Sequence, residues 1–196
     1  MNTPSMVFGL NMSTNIETAS STGATIHEYG GYVVHEWTGS GHTGTFTPAT
    51  TAKYEMLVIG AGGCGGGDNG TAYGGGGGGA GGVILAGYQL NSGSSYSIQV
   101  GTQTINTTDD ADTDRRSFVG SYIAYPGGSG GDGGVTSGGK QADGRDGGSG
   151  GGRAINLSGG GSAGDAIYTS EDPKNFGSGG SSSGNGGAGG GSNGGP

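Results

Sequence analysis

Two His-Glu pairs, His27-Glu28 and His35-Glu36, are the first residues here whose types could do chemistry. Each lies in a run of aromatic and β-branched residues, and a hairpin would bring the pairs near one another. Imidazole and carboxylate together could hold a metal, but half-buried strand residues are the simpler reading, and His42, in a loop, adds little. Asp110, Asp112 and Asp114 alternate like the start of a calcium loop. Such a loop needs glycine at its sixth position and an acid at its twelfth, where this chain has Arg115 and Ser121. These three aspartates are weak calcium candidates, and we expect no bound metal. Cys64 is the sole cysteine, which excludes an internal disulfide or a multi-cysteine metal site.

The run GAGGCGGG, residues 60–67, follows an apolar stretch and invites a phosphate-binding reading. A dinucleotide fingerprint needs a helix next, its N-terminus holding the pyrophosphate. More glycine follows instead, with no Gly-Lys-Ser/Thr. No serine, aspartate and histidine are spaced to suggest a nucleophile with its base. We therefore expect no enzyme and no cofactor.

The elements that would position any site are β. Ala24–Tyr29 and Tyr32–Thr38 are strand-like runs separated by Gly30-Gly31, a pair suited to a tight hairpin. Alternation puts Val33, His35 and Trp37 on one face of the second run. Thr45–Thr47, Tyr54–Ile59, Val83–Leu90, Ser94–Val100 and Ser117–Tyr125 complete the expected strands. Tyr54–Ile59 reads as central, with both faces buried. No window has apolar spacing of three and four, so essentially no α-helix is expected.

The composition is far from the globular norm, with 55 glycines in 196 residues against a usual share of roughly 7%. Hydrophobic residues make up only 29% and cluster before Tyr125, so one small core is available. The net charge of −8 argues against nucleic-acid binding and against anionic membranes. The N-terminus lacks the basic and apolar regions of a secretory signal. No stretch approaches the ~18 apolar residues of a membrane-spanning helix, so no membrane insertion is expected.

Glycine-rich sequence of this kind ordinarily reads as flexible coil. Collagen requires glycine at every third position and abundant proline, whereas here the phase slips and there are five prolines. The reading carried forward is a lattice of polyproline-II-type helices made of glycine, with three residues per turn. Such helices have no internal hydrogen bonds and must find partners sideways. Only glycine lets neighbouring backbones approach closely enough. The expected fold is all-β: a small antiparallel β-sandwich followed by packed glycine-rich helices of this type. Residues 1–22 read as an N-terminal arm or strand, whose Met6, Val7, Phe8 and Leu10 are anchoring candidates. Residues 23–126 read as a β-rich domain with an inserted glycine tract at 60–82. Residues 127–196 read as glycine helices packed on the same domain.

Several pieces of this sequence resemble the glycine-rich domain of bacteriophage tail-fibre and virion surface proteins, common in phages of marine bacteria. They are Gly31–Thr38, Gly44–Thr47, Glu55–Gly63, Gly75–Val83, Tyr96–Gly101 and Ser117-Phe118 followed by Ala124–Gly128. The resemblance implies a non-enzymatic virion structural protein on the particle surface, displaying loops to a host-surface glycan or protein. It also implies other virion proteins, of capsid or tail, as partners, and homo-oligomers. No fibre shaft or coiled coil precedes the domain, so attachment would run through another protein. A capsid decoration or head-fibre protein held by its N-terminal arm is an alternative, and an extracellular filament subunit a second. Binding would use residues that interrupt the glycine. These are Asp68, Asn69 and Tyr73; Lys140, Gln141, Asp143 and Arg145; and Tyr168, Glu171, Lys174 and Phe176. Aromatic, amide and charged groups together suit a glycan or a protein epitope.

Overall fold

A computed structural model describes residues 5–9, 19–67, 74–102, 115–133, 143–154, 161–162 and 164–165. Ten strands form, all pairing antiparallel, and no α-helix occurs among the described residues. They are β1 (Ser5–Gly9), β2 (Ser20–Thr22), β3 (Thr25–Tyr29), β4 (Tyr32–Thr38), β5 (Thr43–Thr47), β6 (Ala52–Ile59), β7 (Val83–Leu90), β8 (Tyr96–Gln99), β9 (Ser117–Val119) and β10 (Tyr122–Ala124). One five-stranded sheet has the order β3-β4-β1-β6-β7, the other β10-β9-β8-β5-β2.

Sequence alternation makes the core. In β4, Val33, His35 and Trp37 are buried, and in β6, Tyr54, Met56 and Val58. Trp37, Tyr54, Met56 and Val58 meet Phe46, Ile98 and Val119 of the second sheet in a single buried cluster. The aromatic rings interlock edge to face: Phe46 meets Trp37 at 6.4 Å and Tyr54 at 5.6 Å between centroids. Trp37 Nε1 donates to the Thr22 carbonyl at 2.8 Å, and His35 Nδ1 is hydrogen-bonded to the Ser21 hydroxyl at 2.9 Å. The buried ring polar atoms thus tie β4 to β2 across the sheets.

Three sequence expectations need correction. The segment read as an arm or a strand holds a strand inside the sheet: β1 pairs with β4 on one side and β6 on the other. The backbone around Met6, Val7 and Phe8 is therefore engaged on both edges, while Leu10 lies outside the described residues. Ser117–Tyr125 is not one strand but a hairpin, turning at Gly120 with φ of 56°. β6 has only one buried face, since Lys53 and Glu55 are exposed and Leu57 and Ile59 half-buried; the apolar run Met56–Ile59 does not reveal that its outer side is the less buried one. The Gly30-Gly31 turn joins β3 and β4 as expected, with φ of 53° and 91°, the two positive values that a type I′ hairpin requires.

Candidate functional site

Between β6 and β7 and after β10, glycine-rich stretches run side by side. The first is 60–67, the second 74–82 and the third 125–133. A fourth, 143–148, turns directly into a fifth, 149–154, and the sixth comprises 161, 162, 164 and 165. Their backbone hydrogen bonds step by three residues at both partners. Gly60, Gly63 and Gly66 donate to the carbonyls of Gly82, Gly79 and Gly76. Gly127, Gly130 and Gly133 donate to Ala61, Cys64 and Gly67, and Gly76, Gly79 and Gly82 donate to Gly131, Gly128 and Tyr125. The third stretch also donates from Gly128 and Gly131 to Ser149 and Gly152, and accepts at Ser129 and Pro126 from Arg145 and Gly148. It is therefore surrounded, and Pro126–Gly131 is buried throughout.

Close approach explains the glycine. A Cβ at Gly130 would run into the backbone of Gly76, and one at Gly66 into that of Gly131. Any side chain there forces the stretches apart. Gly62 is different, because a Cβ there meets nothing within 4 Å.

The register fixes direction. The first, third and fifth stretches run away from the strands, and the second, fourth and sixth run back. Chain continuity then makes three connections, 68–73, 134–142 and 155–160, leave and re-enter at one end, opposite the sheets. Two carboxylates finish that end: Asp132 Oδ1 accepts from Gly67 N and Asp143 Oδ1 from Ser162 N, both at 2.6 Å. Each satisfies an amide that the bundle itself leaves without a carbonyl.

The expected binding residues separate on this frame. Asp68, Asn69, Tyr73, Lys140 and Gln141 lie outside the described residues, but belong to two of the connections that share the far end. Asp143 is at that end, half-buried and bonded to Ser162. Arg145 is only 9% exposed, and its main chain bonds to Ser129 and Gly151 within the bundle. Tyr168, Glu171, Lys174 and Phe176 are outside the described residues. The chain enters that segment from Asp165, which pairs with Gly147 at the sheet-side end.

The metal candidates do not converge either. His27 Nε2 is 3.0 Å from Glu36 Oε2, whereas His35 points into the core. Register places His27 opposite Val34 and His35 opposite Ile26, so the two imidazoles occupy opposite faces of the sheet. Asp110, Asp112 and Asp114 lie outside the described residues. Among the described residues no three His, Cys, Asp or Glu side chains gather as a metal site.

Sequence reasoning missed Arg115. It is 1% exposed and its Nη2 lies 3.3 Å from the carbonyls of both Gly62 and Gly127. The guanidinium thereby ties the first stretch to the third where they leave the sheets. Arg116 next to it lies over the Tyr125 ring, 5.0 Å from the centroid. The sequence signal available was a pair of arginines placed directly before a strand and facing a glycine field.

No curated protein and no solved structure matches the chain. A family model described as Glycine-rich domain matches residues 37–196, a span that takes in β5–β10 and all six glycine stretches. The three-residue ladder and the glycines that it makes obligatory are thus parts of a shared domain: the chain belongs to the glycine-rich domain family.

Proposed function

We propose that this is a non-enzymatic bacteriophage virion surface protein of tail-fibre or adhesin type. In this reading the two sheets form a β-sandwich, and the glycine stretches are packed polyglycine-II-type helices seated on it. The three-residue step of the hydrogen bonds supports that description, because polyproline-II geometry has three residues per turn and no internal bonds. The helices act as a rigid stand for their connecting loops, whose task is to meet a host-surface glycan or protein.

The observation that carries the proposal is the shared end: three connections, 68–73, 134–142 and 155–160, emerge together at the face farthest from the sheets. Asp68, Asn69, Tyr73, Lys140 and Gln141 supply aromatic, amide and charged groups there, a mixture suited to sugar or protein epitopes. Gold-labelled antibody against this chain, applied to phage particles whose genome encodes it, tests the setting. Label at the tail or fibre tips is the expected result. Label on capsid faces replaces the adhesin with a decoration protein, and label on no particle ends the virion reading.

A further inference from the structure

The slot that holds β1 is built without β1. On one side stands β4, held to the second sheet by Trp37 Nε1 on the Thr22 carbonyl and by His35 on Ser21. On the other stands β6, held by Tyr54 against Phe46 and by its eight-residue pairing with β7. Within their sheet, β4 and β6 are joined only through β1, which pairs at five positions with β4 and at four with β6. Remove Ser5–Gly9 and two anchored strands remain, each with an unpaired main-chain edge facing the gap.

What fills the gap is the first strand of the chain, tethered at its C-terminal end through residues 10–19. β1 and most of β4 also lie before the shared domain, which starts at residue 37. A tether of that length spans up to roughly 35 Å when extended, enough to serve the chain's own slot or that of an adjacent copy. Insertion from a neighbour restores the same backbone hydrogen bonds in the same register, so the exchange needs no new interface chemistry. We propose that β1 is an exchangeable strand: Ser5–Gly9 of one copy fills the β4–β6 slot of a second copy, and the protein self-associates through it.

The test uses the full chain, with Cys64→Ser to remove the native thiol. Val7 and Leu57 are register partners, and antiparallel partners at ~4.5–5.5 Å between Cα atoms are within disulfide reach. A Val7→Cys chain and a Leu57→Cys chain are co-expressed with different tags and oxidised. The expected product is a mixed-tag disulfide dimer, identified by mass spectrometry of the 7–57 linked peptide. The wild-type chain should show dimers or larger species by light scattering at high concentration. The proposal is overturned if the doubly substituted Val7→Cys/Leu57→Cys chain closes its disulfide only within monomers while the mixture gives no 7–57 link. It is equally overturned if the wild type stays monomeric at every concentration.

Discussion

At Gly130 the third stretch lies against the backbone of Gly76 so closely that a Cβ would overlap it. The neighbour is main chain on a hydrogen-bonded ladder, which cannot swing aside as a flexible side chain can. Gly130→Val is therefore expected to destabilise by more than about 4 kcal/mol and to abolish soluble folded protein. Gly62→Ala is the matched control. Its Cβ enters open space, so its effect should stay within about 0.5 kcal/mol, with an unchanged urea midpoint. Arg115 makes a third case. Truncation removes two charge-assisted hydrogen bonds to carbonyls and leaves a hole, so Arg115→Ala should cost about 3 kcal/mol. Arg115→Met keeps the bulk and should cost less, read as the difference in denaturation midpoints at constant m-value.

At the scale of elements, β4 depends on what its polar core atoms reach. Trp37→Phe leaves the Thr22 carbonyl without its donor and should cost about 1–2 kcal/mol by thermal unfolding. The same site explains Gly44, where a Cβ would collide with that carbonyl and with Trp37 Nε1. Element positions were largely legible in the sequence, since Tyr32–Thr38 and Val83–Leu90 appear where alternation and turn glycines put them. Pairing partners were not. Met6–Leu10 looked like an unattached apolar patch because nothing local says that a strand will be flanked by residues some 30 and 50 positions later. Likewise the turn at Gly120 was hidden in Ser117–Tyr125, because its flanks, Phe118-Val119 and Tyr122-Ile123, read as one apolar run.

At the scale of the whole molecule, the proposed function puts recognition at the end away from the parts that hold the fold. The sheets and the buried third stretch hold the fold, while three connections start and end at the far end. Replacing residues 135–141 with a Gly/Ser linker of equal length should leave the melting temperature within a few degrees, because long surface loops add little closure entropy. The same change should reduce host-cell binding at least tenfold in a fluorescence pull-down, if those residues meet the receptor. The far end was half legible beforehand. Asp68, Asn69, Tyr73, Lys140 and Gln141 stood out as interruptions in glycine, but that their two connections start and end at one end of the bundle follows only from the register of the ladder. Arg145 interrupts glycine equally and is interior, because one-dimensional sequence cannot say which side of a three-residue turn faces inward.

The third stretch also arrives after the two that close on it. Gly60–Gly67 and Gly74–Gly82 leave the ribosome before residues 127–133, which supply their inner hydrogen-bond partners, and before Ser149 and Gly152, which complete the second stretch. At ~5–20 residues per second the interval between residues 82 and 154 is roughly 4–14 s. At its start the first two stretches can pair only with each other, Gly60 with Gly82, Gly63 with Gly79 and Gly66 with Gly76. Completion of the bundle is therefore non-local and comes late in synthesis. A chain stopped at residue 125 would carry all ten strands without the centre on which the glycine stretches close.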